Sequence, residues 1–230
     1  DYKDLVPSIS HVKFSYAKDL VSLGLNFFVI QVIGIVLFLT DTRIIIQFVG
    51  ETSEIRAANS ALYSTTNKFF SLITQAFAII TTPFRSAYTE AIQKQEWDWI
   101  RKTNSNLLKL FYLLVAGSIV ALFFAPFGIE FLLKGTMESD WQLNIFMLAF
   151  TLMLAYGSIY VMFINGVGKV RLQMMSSIIG GVLNIPLSIF LANNCGLGLS
   201  GVILASMICM FYGAVLGPVQ YRKIMIGTAK

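Results

Sequence analysis

"VLFLTDTRIII", Val36 to Ile46, places an aspartate and an arginine two residues apart inside a run that is otherwise apolar. Upstream of the pair, Leu20 to Thr40 contains no Asp, Glu, Lys, Arg or His. That matches the roughly 20 residues a helix needs to cross the hydrocarbon core. The pattern recurs along the chain. Lys68 is the one charge between Arg56 and Arg85, while Leu110–Ile129 and Trp141–Gly168 carry none. Leu172 to Tyr221 is uncharged for fifty residues, too long for one crossing, and Asn193-Asn194-Cys195-Gly196 divides it. The reading is an all-α polytopic membrane protein with six helices over 20–48, 59–84, 108–126, 142–165, 171–192 and 198–219. The runs lack the alternation of barrel strands, and a bilayer requires backbone groups to be satisfied within each spanning segment.

Composition points the same way. Of 230 residues, 56% are hydrophobic and 13% charged, against about a quarter charged in soluble domains; mean hydropathy is +0.72. Six spans put Asp1 to Asp19, a cytoplasmic linker, on the same side as the tail over 222–230. The six-helix lobe fills 20–221. Thirteen of the seventeen lysines and arginines then fall on the side of the termini. That asymmetry predicts both termini in the cytoplasm. The net charge of +5 follows from topology. A nucleic-acid partner would need a soluble basic domain, and the sequence has none. The lead is polar and the chain does not begin with Met, so the sequence reads as a fragment of a longer protein. In the second connection, Trp97 and Trp99 among charges suggest either an interfacial amphipathic helix or a plain extension of the third span.

Asp41 and Arg43 each cost roughly 2.5–3.5 kcal/mol at the centre of a spanning helix. Two positions apart on a helix is about 200°, so they do not pair with each other. Asn26, Gly34 and Asp41 stack on one face, and Thr40, Arg43 and Gln47 form another near the outer end, where Arg43 can snorkel. The second helix carries a longer stripe: Tyr63, Asn67, Ser71, Thr74, Ala78, Thr82 and Arg85, spaced by threes and fours, with Lys68 and Gln75 beside it. Such a stripe either packs helices closely or lines water. We read Asn26, Asp41, Arg43, Asn67, Thr74, Gln75 and Arg85 as candidates for a cavity wall. Pro83 and Pro186 are candidate bends, since proline removes a backbone bond, and Asn184 is placed to satisfy a carbonyl freed by Pro186. Gly166 and Gly168 make a tight turn. No Ser/His/Asp set, metal cluster or phosphate loop is present, so neither an enzyme, a metal nor a cofactor is expected. His11, the one histidine, and Cys195 and Cys209 suggest no site.

Taken together, "FINGVGKVRLQMMSSIIGGVLNIPLSIFL" (Phe163–Leu191), "GLGLSGVILA" (Gly196–Ala205), "LGLNFFVIQVIGIVLFLTDTRIII" (Leu23–Ile46) and "TTPFRSAYTEAIQKQEWDWI" (Thr81–Ile100) resemble a known family. They are similar to the C-terminal half of bacterial polysaccharide flippases, the Wzx-type O-antigen and capsule-repeat transporters of the MOP superfamily, relatives of the MATE exporters. The resemblance runs from about Leu20 to Lys223. It implies one lobe of a two-lobe transporter whose N-terminal six-helix lobe is not in this sequence. It also implies transfer of undecaprenyl-pyrophosphate-linked oligosaccharide between leaflets by ion-coupled alternating access. Asp41 matches an acidic position that would face the cavity and serve coupling. Arg85 stands where the family more often has an aromatic residue, although its charge suits a pyrophosphate. Asn165, Gly166 and Gly168 match a tight turn, and Asn184 with Pro186 a bent helix. Two other readings stay open: a MATE-like exporter of small cationic compounds, and a membrane scaffold or polymerase partner in envelope synthesis.

Overall fold

The structure, a computed structural model, describes residues 14–227, and among them every regular element is a helix. Most of the expected linker over 1–19, with His11, lies outside those residues, as do positions 228–230 of the tail. Helix α1 (Phe14–Phe48) is followed by α2 (Ser53–Thr81), α3 (Phe84–Gln93), α4 (Trp97–Leu132), α5 (Trp141–Val167) and α6 (Arg171–Ile189). Helix α7 (Gly198–Cys209) and α8 (Gly217–Gly227) complete the bundle.

Four stretches are long and apolar enough to cross a membrane: Gly24–Phe48 in α1, α4, α5, and Arg171–Asn194. The last of these is α6 continued by the π-helical turn Phe190–Asn194. Helix α7 and the segment Tyr212–Gly227, bent by 42° between them, make a fifth when the pair is counted as one broken span. Helix α2 has 29 residues, enough length for a crossing at 1.5 Å per residue. Glu54, Arg56, Lys68 and its hydroxyl-rich stripe make it the least apolar of the long helices.

Helix α5 is the axis of the bundle. It packs against α2, α3, α4, α7 and α8, while α1 packs against α2 and α6. One core cluster, around Ile45, Phe70, Met147, Phe150 and Val202, joins α1, α2, α5 and α7. A second, around Tyr88, Ile100, Phe163 and Tyr212, lies at the opposite end. That second end carries Arg85, Lys94, Arg101, Lys169, Arg171 and Arg222 and is called the basic end below.

Several boundaries differ from the sequence reading. Helix α1 starts at Phe14, inside the expected linker, and α8 runs through Gly227, inside the expected tail. Pro83 ends a helix instead of bending one: α2 stops at Thr81, and α3 begins directly after the proline. The Trp97–Trp99 segment is the first turn of α4, so the extension reading holds there and the separate amphipathic helix does not. The turn after α5 closes on Gly168, at φ +76°, a left-handed position that suits glycine. At Gly166 a side chain would press on the Arg85 carbonyl and the Tyr88 Cβ, so this glycine lets α3 lie against α5.

Candidate functional site

Thr52 starts α2 by accepting the Ile55 N–H at 3.3 Å, the usual N-cap bond. Asn59 donates to the Val49 carbonyl at 3.0 Å and so clamps the α1–α2 turn. These contacts set the rotation of α2. Tyr63, at the top of the stripe, turns inward and is buried. Asn67, Ser71 and Thr74 are half-buried, whereas Lys68, Gln75, Ala78, Thr82 and Arg85 are exposed. Ser71 donates back to the Lys68 carbonyl and Thr74 to the Ser71 carbonyl, each at 2.8 Å, and Gln75 Nε2 donates to Ser71 Oγ at 3.2 Å. The Ser71 and Thr74 hydroxyls are thus satisfied on their own helix and do not bind a neighbouring one.

The other outward faces differ in kind. Helix α4 exposes Leu113, Val120, Phe124 and Phe127, and α6 exposes Met175, Ile179, Val182 and Ile185. Neither carries a charge across its apolar stretch. Lys68, by contrast, sits midway along α2. Among the described residues the ion pairs are Glu90–Lys94 and Asp98–Arg101, so no carboxylate neutralises Lys68. On α1, Gln31, Arg43 and Gln47 are exposed and Asn26 is half-buried. Arg85 closes the basic end of this face, its guanidinium 4.4 Å above the Phe27 ring.

Asp41 does not lie on the open face. It is 1% exposed, enclosed by α1, α2, α6 and α7, and this corrects the expectation that it lines a cavity. Its Oδ2 accepts from Tyr63 Oη at 3.0 Å and from Ser206 Oγ at 2.9 Å. Asn184 Nδ2 donates to the same Ser206 Oγ at 3.0 Å. Asn184 therefore belongs to the Asp41 cluster and does not repair the Pro186 bend, as the sequence reading had it. Asp41 Oδ1, Asn184 Oδ1, Thr66 Oγ1 and Ser188 Oγ are buried without a partner. What brings α6 and α7 together is Gly180, where any Cβ would collide with the Cys209 carbonyl. Asn184 is one turn from Gly180, and Ser206 nearly one turn from Cys209, so they meet at the same crossing.

Sequence reasoning missed Ser206, and it saw Tyr63 only as part of the stripe. A signal did exist: Gly180, Asn184 and Ser188 repeat every fourth residue, which marks a small and polar face on α6. Among the described residues no group of three or more His, Cys, Asp or Glu side chains gathers to hold a metal.

The interior offers limited space. A cavity of about 230 Å³ lies between α1, α5, α6 and α7, lined by Gly34, Gly157, Gln173, Ser176 and Cys209 among others. That is below the roughly 300–1,000 Å³ of small-molecule pockets. A groove of about 460 Å³ between α2 and α4, lined by Leu72, Phe77, Leu113 and Gly117, is almost wholly apolar. It adjoins the polar face of α2 through Leu72. Comparison with protein families, with curated proteins and with solved structures gave no match.

Proposed function

We propose that this chain is one six-span lobe of a flippase for undecaprenyl-pyrophosphate-linked oligosaccharides in the bacterial inner membrane. The six spans are α1, α2, α4, α5, α6 and the bent α7–α8 pair, with α3 a short connecting helix at the basic end. The observation that carries the reading is the contrast between outward faces. Helix α2 presents Lys68 and Gln75 at membrane depth, while α4 and α6 present hydrocarbon. A lysine facing lipid at the centre of a span costs roughly 2.5–3.5 kcal/mol. Water and a facing second lobe remove that cost, in the manner of transporters built from paired repeats around a midplane site.

The resemblance of the sequence to Wzx-type flippases supplies the cargo. A hydrophilic head would pass along α2 between Lys68 and Arg85, and the isoprenoid chain would lie in the adjoining apolar groove between α2 and α4. Asp41 acts from within the lobe. Its carboxyl, bonded directly to residues from α2 and α7 and through Ser206 to Asn184 on α6, is the candidate for ion coupling between α1 and the α6–α7 crossing.

Complementation tests this reading. The chain is produced in a strain lacking its polysaccharide flippase, alone and together with a matching N-terminal lobe, and surface glycan is measured. Rescue that needs the second lobe is the expected result. Failure of both, with insertion of the chain established, would remove the flippase reading.

A further inference from the structure

On the α4–α8 side of the bundle, two arginines from different helices open onto one pocket. Arg101 lies in the second turn of α4 and Arg222 in the second turn of α8. With Tyr221, Met225 and Ile226 they line a shallow pocket of about 280 Å³. The depth of this pocket is fixed by its rings. Tyr221 packs edge-on against Phe163 at 4.9 Å and Tyr160 at 5.6 Å. Both partners belong to the last two turns of α5, inside the uncharged run that ends at Gly168. The arginines therefore sit where hydrocarbon gives way to headgroups, the level that aromatic residues also favour. Trp99, partly exposed and edge-on to Tyr88 at 6.0 Å, marks the same level on α4.

The charge there is poorly compensated. Arg101 Nη1 meets Asp98 Oδ1 at 3.3 Å, but that carboxylate is 99% exposed, so water screens the pair. Arg222 has no ion-pair partner among the described residues. Beside the two guanidinium groups lies an apolar flank, with Ile226 68% exposed. Planar guanidinium groups recognise phosphate oxygens in pairs, and basic pockets between spanning helices at this level take anionic lipid headgroups. An exposed isoleucine beside them suits the first carbons of an acyl chain.

We propose that Arg101 and Arg222 form a binding site for the phosphodiester of an anionic diacyl phospholipid of the phosphatidylglycerol type. The lipid fills the notch between α4 and α8 and ties the end of α8 to the bundle. A polyprenyl pyrophosphate offers similar chemistry, but the pocket shares no residue with the α2–α4 groove assigned to the cargo's isoprenoid chain. The phospholipid site does not depend on that assignment.

Native mass spectrometry of the whole chain, released from detergent with equal phosphatidylglycerol or phosphatidylcholine, tests the site. The wild type is expected to retain phosphatidylglycerol about tenfold or more over phosphatidylcholine. R101Q/R222Q is expected to lose the preference, and the control K94Q/K102Q, two exposed lysines at the same end, to keep it. R222Q alone, at an exposed position, is expected to weaken the preference and serves if the double variant misfolds. Equal retention of the two lipids by the wild type would overturn the proposal. So would an equal loss in the control, which would mean diffuse surface charge. Displacement of phosphatidylglycerol by equimolar farnesyl pyrophosphate, abolished in R101Q/R222Q, would overturn it in favour of a cargo site.

Discussion

Replacing Asp41 by alanine removes the one acceptor that serves two buried donors. Tyr63 Oη and Ser206 Oγ both point at Asp41 Oδ2, and in Asp41→Ala neither finds water, because Asp41 is 1% and Tyr63 3% exposed. An orphaned buried hydroxyl costs about 1–3 kcal/mol, so the pair costs on the order of 4 kcal/mol. Asp41→Asn keeps an oxygen in place for both donors. Its amide takes the position of Oδ1, which has no partner in the wild type. That change is expected to cost less than about 1 kcal/mol. Unfolding by SDS in mixed micelles, followed by circular dichroism, reads both variants. The predicted order is wild type close to Asp41→Asn, with Asp41→Ala far below. Should Asp41→Ala match the wild type, the carboxyl is not the closed centre described here. Equal damage from both variants would assign the effect to lost charge and remove the hydrogen-bond account. Under the proposed flippase function, transport separates structure from coupling: Asp41→Asn is expected to insert and fold normally yet flip less lipid-linked glycan.

Three further outcomes follow from the same geometry. Gly180→Val places a side chain against the Cys209 carbonyl. It is expected to separate α6 from α7 and give a chain that aggregates on size-exclusion chromatography, and a monodisperse variant would refute the close crossing. Lys68→Leu is expected to shift stability in SDS by less than about 1 kcal/mol if the residue faces water, whereas a gain near 3 kcal/mol would place it in lipid. On α3, the Lys94 ammonium bonds the Glu90 carboxylate at 2.6 Å. That bond holds Glu90 below 4.5 and Lys94 above 10.5. The favourable pairing is complete above the ordinary carboxylate range and fades as pH falls through the lowered Glu90 value. It fades again as pH rises through the raised Lys94 value. An NMR titration of Glu90 is expected to move upward in Lys94→Gln, and an unchanged titration would refute the pairing.

Charge-free runs located most helices because they obey one local rule. Helix α5 was read as 142–165 and spans Trp141–Val167; α1 ends at Phe48, as read. Where two effects compete, the run alone was insufficient. Trp97 to Lys109 is rich in charge yet helical, because α4 extends past the hydrocarbon and buries Ile100, Asn104 and Leu107 on its inner side. The break between α7 and α8 lies directly ahead of Gly217-Pro218, which the charge-free run passed over. It arises where Gly213 meets Gly157 backbone to backbone, a contact between residues 56 positions apart. The stripe on α2 was legible from spacing, though not its division into a buried Tyr63 and an exposed basic-end half. Asp41 was legible as unusual, but its enclosure depends on Ser206, 165 residues away. No periodicity in one helix reveals such a partner.

The central claim is that Lys68 and Gln75 on α2 meet water while the outward sides of α4 and α6 meet lipid. Single cysteines at positions 68, 75, 120 and 182, in a chain with Cys195 and Cys209 replaced by serine, test it directly. Reaction with a membrane-impermeant thiol reagent is measured in the bilayer, with the proposed second lobe co-produced. Labelling at 68 and 75, with protection at 120 and 182, is the predicted result. Protection at all four positions, or equal labelling of the two faces, would contradict the account.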